Sequence, residues 1–485
     1  MANPLKQLAK DTAIYGLSSI VGRFLNYLLV PLYTYKIASE SGGYGIVSNL
    51  YAYSALLFAL LTFGMETTFF RFAGKEGEND RMVYSNALRM VGAVGLAFVA
   101  IVFAFLGPIS GAMGYGDHPG YIGCFAVIGA LDAFQAIMFG RLRQQHRPLK
   151  FMALKMTFIG LNILMNLFIF LVMPKIPACT PLFESLNYGV GLIFYANLLC
   201  TALVTLGFIP ELKGISYGFD RRLAGRMLGY SWPLLLLSLV GILPQAADKI
   251  LFPYLMPGQE GMVQLGIYGA CVKIAMIMTL LTQAFRYAYE PIVFNGSRDK
   301  NSPETLAMGM KYFIIFTLLA YLAVLFYMPV LRRFVQAGYW EGLKVIPIVM
   351  MAEIFMGVYF NLSFWYKLSD QTWWGAVMSA IGAGVMILVN VLFVPEWGYM
   401  ACAWGGFAGY GIAMLLSYFI GQKKYPIRYD LKSIGAFALL AAVLYLAFQG
   451  VKSLALPVVA ELAAGTVLLI AYMAAVVLDF RKGKA

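Results

Sequence analysis

The sequence predicts an all-α integral membrane protein with 14 transmembrane helices, arranged as two six-helix lobes and an appended C-terminal helical hairpin. Three observations predict this fold class. Hydrophobic residues make up 61% of the 485 residues and charged residues only 12%. Long apolar stretches follow one another along the whole chain. Several residues also recur at one constant spacing, close to half the chain length, which indicates an internal repeat.

The composition requires a bilayer as the main solvent of the chain. A soluble fold of this length has too little interior to hide so many apolar residues, and the mean hydropathy is +0.75. The 49 glycines suit helices that approach one another through small residues. Five scattered cysteines and only two histidines predict neither a disulfide framework nor a metal site, and we expect no cofactor.

Fourteen apolar stretches are long enough to cross about 30 Å of hydrocarbon as helices. Helices 1 to 6 are predicted at 12–38, 44–72, 83–107, 119–142, 150–173 and 186–210. Helices 7 to 12 are predicted at 225–252, 265–292, 309–331, 342–366, 372–394 and 398–421. Helices 13 and 14, at 431–450 and 455–479, form the hairpin.

The repeat relates helices 1–6 to helices 7–12. Its markers are four pairs, all with the same separation along the chain: Tyr44-Gly45 and Tyr268-Gly269, Glu66 and Glu290, Asn166 and Asn390, Arg143 and Lys367. Because each half has an even number of crossings, we expect a pseudo-two-fold axis along the membrane normal. The predicted domains are a cytoplasmic tail (1–10), an N-lobe (11–210), a linker (211–224), a C-lobe (225–422), and the hairpin with the C-terminus (423–485).

The basic residues predict the orientation in the membrane. With the N-terminus inside, 26 of the 36 Lys and Arg residues fall on the cytoplasmic side and 6 on the outer side. This bias follows the positive-inside rule, so both termini are expected in the cytoplasm. It explains much of the net charge of +13 without nucleic acid as a partner, and it favours contact with anionic membrane lipids.

Polar and charged residues at membrane depth are the candidate functional residues. An Arg or Lys near a helix centre costs about 2.5–3.5 kcal/mol even on insertion scales, so several of them imply a water-filled or ligand-filled interior. The polar faces of helices 1, 7 and 8 are expected to line one central cavity. The predicted substrate-binding residues are Arg23, Asn26, Gln245, Asp248, Lys249, Lys273 and Arg286.

These residues also have structural interpretations. Arg286 and Glu290, four positions apart, suit an interfacial ion pair, and Glu66 would pair in the same way with Arg71 or Arg89. Neighbours on a helix should point apart, which predicts that Asp248 and Lys249 do not face each other and that at least one of them has another partner. The candidate ion-coupling residues, which are equally suited to pair with buried cations, are Glu66, Asp132, Glu290 and Glu353.

Three segments resemble a known family. RLRQQHRPLKF at 141–151 resembles the basic Arg-x-Gln-x-x-Arg-Pro turn of oligosaccharide flippases. NVLFVPEWGYMACAWGGFAGYG at 390–411 is similar to their Asn-x-x-x-x-Pro-x-x-Gly-x-x-Gly-Ala-Ala stretch, with Ala401 and Cys402 in place of Gly-Ala. With PLYTYKIASESGGYGIVSNL at 31–50, the chain resembles the multidrug/oligosaccharidyl-lipid/polysaccharide exporter superfamily, in its bacterial polysaccharide (Wzx-type) branch.

The resemblance implies a flippase for undecaprenyl diphosphate-linked oligosaccharide, an O-antigen or capsule/exopolysaccharide repeat unit. Transport would run from the inner to the outer leaflet of the bacterial cytoplasmic membrane by alternating access, and glycan polymerase or glycosyltransferase machinery would be candidate partners. Arg23 matches a first-helix arginine of the superfamily's lipid II flippases. Leu29 stands where those carry a second basic residue, which counts against lipid II as the substrate.

Other functions fit the sequence less well. A multidrug or small-molecule cation antiporter of the same fold usually stops at twelve helices, so the hairpin disfavours it. A membrane glycan polymerase or ligase would be an enzyme with a long external loop. The predicted external segments here hold little beyond Asp117, His118 and Glu184. A noncatalytic scaffold has no need of buried arginines. We therefore expect a transporter without catalytic residues rather than an enzyme.

Overall fold

The structure is a computed structural model that describes residues 21–22, 24–75, 77–213, 215–216, 218–296, 302–369 and 371–482. Within these ranges the regular elements are all helices, and none is a strand. The predicted all-α fold class is therefore confirmed. Arg23, the deepest cation of the predicted substrate set, lies outside the described residues.

Twelve helices in the described part of the chain are long and apolar enough to cross a membrane. They correspond to predicted helices 2–5 and 7–14 and run over Gly43–Ala73, Asp80–Ala104, Pro119–Gln144, Pro148–Lys175, Arg221–Leu255, Gln259–Glu290, Pro303–Phe326, Ala337–Leu368, Trp373–Trp397, Tyr399–Lys424, Leu431–Ser453 and Val458–Arg481. Helix 6 is the apolar helix Val190–Leu206, with 17 residues. Helix 1 is described only from residue 21 and ends as Leu29–Lys36. The count of fourteen crossings stays a prediction.

Side-chain caps set the start of three membrane helices. Asn79, Asp220 and Asp430 precede helices 3, 7 and 13, and each accepts a hydrogen bond from a backbone N–H in the first turn. The shortest of these bonds measure 3.0, 2.9 and 3.1 Å. Such caps satisfy N–H groups that have no partner inside the helix. All three residues lie in connections that the distribution of basic residues predicts to be cytoplasmic.

Helix 2 is built from two segments, Gly43–Thr62 and Met65–Ala73. Between them, Phe63 and Gly64 have positive φ values of 35° and 71°. Glycine adopts this left-handed conformation without steric cost. Close packing also requires glycine at position 64, because a Cβ there would lie 2.6 Å from the Cβ of Leu234 in helix 7.

Helix 7 is continuous from Arg221 to Leu255 although three prolines lie inside it. A proline within a helix leaves the carbonyl four residues earlier without its N–H donor. For Pro253 this carbonyl belongs to Lys249, and Nδ2 of Asn49 in helix 2 donates to it at 2.7 Å. The side-chain amide thus replaces the missing backbone bond, and the helix extends beyond residue 252, where the sequence predicted its end.

Contacts divide the chain into two compact units, Met1–Gly266 and Ile267–Ala485. In the first unit, buried residues around Phe69, Tyr84 and Phe139 form a core shared by helices 2, 3 and 4. In the second unit, helices 11 and 12 pack closely at Gly382 and Gly409, since a Cβ on either would lie within 2.7 Å of the other's carbonyl oxygen. The predicted N-lobe (11–210), the C-lobe (225–422) and their two-fold relation stay predictions.

Candidate functional site

The predicted substrate-binding residues occupy separate positions along helices 1, 7 and 8. Asn26 on helix 1 and Gln245 on helix 7 are exposed, and Lys273 on helix 8 is half-buried. Arg286 follows Lys273 by thirteen positions on the same helix, which corresponds to about 20 Å at 1.5 Å per residue. The two cations of helix 8 therefore do not meet at one point.

Asp248 and Lys249 form an ion pair. The Nζ of Lys249 lies 3.0 Å from each carboxylate oxygen of Asp248 and 3.2 Å from the carbonyl oxygen of Gln245. The expectation that these neighbours point apart is wrong, because the long lysine stem folds back over the preceding residue. The Asp248 side chain is only 7% exposed, so the lysine compensates a buried negative charge.

Asn49 and Tyr115 fix the backbone beside this pair. Asn49 is 1% exposed; it donates to the Lys249 carbonyl and accepts from the Tyr115 hydroxyl at 2.6 Å. Burial raises the pKa of Tyr115 well above its ordinary value, so its hydroxyl stays a donor at neutral pH. Neither residue was predicted from the sequence as part of the site. The available signal was Pro253, which leaves one helix carbonyl in need of a polar partner.

Arg286, Glu290 and Lys367 form a cluster in the second unit. The Nε of Arg286 lies 3.4 Å from Oε1 of Glu290, and the Nζ of Lys367 lies 3.6 Å from the same oxygen. Both cations lie 4.5 Å from the ring centroid of Phe360. The ion pair expected from the close spacing of Arg286 and Glu290 on one helix is present. Lys367 joins it from the end of helix 10.

Glu66 pairs with Arg143 in the first unit. Nη2 of Arg143 donates to Oε1 of Glu66, and both side chains are 34% exposed. The expected pairing of Glu66 with Arg71 or Arg89 is therefore wrong. Arg71 lies over the ring of Tyr230 at 4.4 Å, and Arg89 donates to two carbonyls of the linker before helix 7.

The two ion pairs occupy equivalent positions of the repeat. Glu66 corresponds to Glu290 and Arg143 to Lys367 at the same spacing, so each acid reaches a cation equally far along the chain, two helices later. In both units the cation also lies over a phenylalanine: Arg143 over Phe70 at 4.9 Å, and Lys367 over Phe360. The spacing that revealed the repeat thus marks a contact that is made twice.

Asp132 and Glu353, the other candidate ion-coupling residues, have separate surroundings. Lys155 acts electrostatically on Asp132 and lies 4.4 Å over the ring of Phe139. Glu353 accepts a hydrogen bond from Thr279 at 2.9 Å. Among the described residues, no three His, Cys, Asp or Glu side chains are grouped so as to hold a metal ion. Asp132 therefore lies near a cation, and Glu353 lies beside a hydroxyl group.

Comparisons with known proteins define the family. The model of a family described as "Polysaccharide biosynthesis protein" matches residues 8–292, more than half of the chain. No curated protein matches significantly. The solved structure "Lipid II flippase MurJ, inward closed conformation" is similar, with a TM-score of 0.74 and 14% identity over 97% of this chain and 99% of that one.

A second similar structure is an inward-facing multidrug resistance MATE family transporter of the MOP superfamily. Its TM-score is 0.61 at 16% identity, over 82% of this chain and 93% of that one. At these identities the structural similarities establish the fold, and the family match establishes descent. The family match agrees with the polysaccharide flippases that the sequence motifs resemble, and the solved structures show that the chain has the fold of this superfamily. The chain is a multi-pass membrane protein with the fold of MurJ and MATE transporters, and it belongs to the polysaccharide biosynthesis protein family.

Proposed function

We propose that the protein is a flippase for undecaprenyl diphosphate-linked oligosaccharide, an O-antigen or capsule/exopolysaccharide repeat unit. It moves this lipid from the inner to the outer leaflet of the bacterial cytoplasmic membrane by alternating access. The family match supports a part in polysaccharide biosynthesis, and the fold similarity to a lipid II flippase supports lipid transport. Contacts with glycan polymerase or glycosyltransferase machinery stay a prediction.

The observation that carries the proposal is a surplus of cations within membrane helices. Arg286 and Lys367 share the single carboxylate Glu290. The sequence predicts one more cation, Arg23, on helix 1. An excess of cations over acids favours an anionic ligand, and a lipid-linked diphosphate supplies one. Lys249 is compensated by Asp248, and we assign that pair to the support of helix 7.

The membrane potential favours such a cycle. An empty cationic site is drawn towards the negative inside by about 2.3 kcal/mol per charge per 100 mV, whereas a site loaded with diphosphate is nearly neutral. The return of the empty protein is therefore the step that the potential accelerates. Asp132, Glu353 and the paired acids Glu66 and Glu290 are the residues we assign to coupling with an ion gradient.

Complementation of a flippase-deficient strain tests this function. Arg23→Ala is expected to abolish export at normal membrane levels of the protein, while Arg23→Lys retains part of it because the charge survives without the bidentate fork. Surface glycan and internal lipid-linked precursor are the two readouts. Arg71→Ala is the control, because Arg71 is stacked on Tyr230 at the surface. Full export by a stably expressed Arg23→Ala protein would place the diphosphate elsewhere.

A second experiment tests the orientation. Cysteines introduced at Ser41 and at Glu260 are expected to react with an impermeant reagent from outside intact cells, whereas one at Lys424 is not. Nε2 of Gln259 donates to the carbonyl of Ser41 at 2.8 Å, so the first two positions lie at one end of the first unit. Labelling of Lys424→Cys alone would reverse the proposed topology.

A multidrug or cation antiporter is the alternative function that the fold allows. The similarity to a MATE transporter and the half-buried acid Asp132 favour it. The MurJ similarity covers 97% of this chain against 82% for the MATE structure, which favours the flippase. Drug susceptibility of the complemented strain separates the two, because an antiporter raises resistance and leaves the lipid-linked precursor inside. A membrane glycan polymerase or ligase is less well supported.

A further inference from the structure

We propose that Arg286, Lys367 and Phe360 form a diphosphate-binding site in the second unit, with Glu290 as its displaceable counter-ion. The site lies near the end of helices 8 and 10 that the basic residues place in the cytoplasm. This inference rests on the flippase function proposed above. It names the place where the lipid carrier's diphosphate first binds, at a different level of helix 8 from Lys273.

The cluster has an excess of positive charge. Two cations and one carboxylate leave a net charge of +1, and the charged groups that act on Lys367 are Glu290 and Arg286. Both cation–oxygen distances, 3.4 and 3.6 Å, exceed the roughly 2.7–2.9 Å of a charge-assisted hydrogen bond. Glu290 therefore holds both cations loosely. A stronger anion is able to replace it.

The ring of Phe360 positions both cations of the site. The ring of Phe360 attracts Arg286 and Lys367 together, at 4.5 Å each. Phe364 is fully buried, and its ring centroid lies 5.7 Å from that of Phe360. The Nζ of Lys367 lies 5.2 Å from the ring centroid of Phe364. The Arg286 side chain is 49% exposed and so is accessible to a ligand. Its guanidinium meets Glu290 through Nε, so Glu290 does not engage the paired terminal nitrogens as a fork.

The first unit shows that this surplus is not needed for packing. There the carboxylate of Glu66, at the position equivalent to Glu290, meets a single described cation, Arg143. The position equivalent to Arg286 is Thr62, whose hydroxyl donates to the Phe58 carbonyl of its own helix at 2.6 Å. In the described part of the first unit, a single cation on this carboxylate joins the two helix ends. Arg286 therefore adds a charge that the equivalent carboxylate contact of the first unit does without.

A diphosphate is the anion that fits two adjacent cations of this kind. The planar guanidinium presents paired donors that match phosphate oxygens, and the lysine adds a point charge beside it. A phospholipid headgroup shares the phosphate chemistry but carries less charge than a diphosphate. Because Glu290 competes for the same cations, the bound lipid is released again rather than trapped.

Lipid binding to the purified full-length protein tests the site. The protein is reconstituted in phosphatidylcholine nanodiscs and titrated with undecaprenyl diphosphate, and in a parallel arm with phosphatidylglycerol. We expect the diphosphate to bind more tightly than phosphatidylglycerol. Arg286→Thr, which copies the first unit, should weaken diphosphate binding by about tenfold, the effect of one charge-assisted hydrogen bond. Glu290→Gln should tighten it, because the competing carboxylate is gone.

The matched control is Arg71→Thr, which removes an arginine stacked on an aromatic ring in the first unit and should bind as the wild type does. Unchanged binding by Arg286→Thr, weaker binding by Glu290→Gln, or equal binding of phosphatidylglycerol would each overturn the site. The flippase function is judged separately by export. A wild-type protein that exports glycan while Arg286→Thr binds diphosphate normally would refute the site and leave the function standing.

Discussion

The two units contain equivalent ion pairs, but the number of cations around the carboxylate differs between them. Among the described residues, the carboxylate of Glu66 in the first unit meets one cation, Arg143, whereas that of Glu290 in the second unit meets two, Lys367 and Arg286. What the repeat preserves is the position of an acid–base contact between two helix ends, because packing needs that contact in both places. What it does not preserve is the balance of charge. The difference locates the part of the second unit that is available for a ligand.

The buried asparagines of the repeat differ in a similar way. Asn166 and Asn390 are both fully buried. Asn166 accepts from the Tyr33 hydroxyl at 3.0 Å and donates to the Asn162 carbonyl at 2.7 Å. Both amide atoms of Asn390 are without a hydrogen-bond partner within the described ranges. The first asparagine is a structural residue, whereas the second places an unsatisfied amide between helices 11 and 12.

The largest expected effect comes from replacing these asparagines with a residue of similar shape. Asn166→Leu should destabilise the protein by about 2–3 kcal/mol, because the buried hydroxyl of Tyr33 loses its acceptor. Asn390→Leu should be neutral or stabilising, because it removes an unsatisfied polar group. The melting temperatures of the two purified variants in one detergent provide the measurement.

Export by the same two variants sharpens the result. If Asn390→Leu folds normally but loses export, its amide serves transport rather than packing. Equal losses of stability in the two variants would contradict the contrast between the units. Asn162→Ala is a useful companion, because it removes only one of the partners of Asn166.

The second prediction concerns the two carboxylates of the repeated ion pair. Glu66→Gln removes the carboxylate from one cation, Arg143, whereas Glu290→Gln removes it from two cations that share one phenylalanine ring. We expect Glu290→Gln to lower the free energy of unfolding more than Glu66→Gln does. The difference should be only about 1 kcal/mol, because solvent screens these half-exposed groups, and it is measured as a lower melting temperature. Salt should reduce the difference, since it screens the repulsion between Arg286 and Lys367.

The control for this prediction restores the charge balance. Adding Arg286→Thr to Glu290→Gln leaves a single cation, as in Glu66→Gln, and should bring the two units to the same stability. A larger loss for Glu66→Gln in low salt would show that the surplus charge of the second unit is balanced by another group.

Much of the fold was predictable because it depends on local patterns. Apolar stretches gave the positions of the twelve described membrane helices to within about six residues, and the constant spacing of the repeat identified both members of the repeated ion pairs. Their actual partners were not predictable from local spacing. Glu66 on helix 2 meets Arg143 on helix 4, instead of the nearer Arg71 or Arg89, because these two helices pack together.

The pair Asp248–Lys249 shows a different limit of sequence reasoning. The rule that neighbours on a helix diverge concerns Cα–Cβ directions, and a lysine has four further bonds with which to turn back. Likewise, Pro253 indicates that the Lys249 carbonyl lacks its helical donor. Only the packing of helix 2 on helix 7 shows that Asn49 donates to this carbonyl. The interaction partners that the sequence did not predict therefore depend on side-chain length and on contacts between helices.

The third prediction concerns the hairpin, which is present only in the second unit. The Lys311 side chain on helix 9 is 16% exposed, and its Nζ lies 3.2 Å from Oδ2 of Asp430 and 2.8 Å from Oδ2 of Asp479. Lys311→Met leaves two acids facing each other and should destabilise the protein by about 1 kcal/mol after allowance for solvent screening. Adding Asp479→Leu should recover much of the loss in melting temperature. No recovery would show that the lysine acts through packing alone.

The smallest expected effect is the pH dependence of that contact. Hydrogen bonds from the Ser433 side chain and backbone, together with Lys311, hold the pKa of Asp430 below its usual value. A carboxyl group with a lowered folded-state pKa contributes stability above its unfolded-state pKa, about 3.9, and loses it as the pH falls through the folded-state value. The difference in melting temperature between the wild type and Asp430→Asn should therefore be constant from pH 7 to about pH 5. It should shrink only in stronger acid.

Asp117→Asn, at an exposed position outside the hairpin, is the control for this pH dependence. A difference that already disappears near pH 6 would show that Asp430 does not titrate as its contacts with Ser433 and Lys311 require.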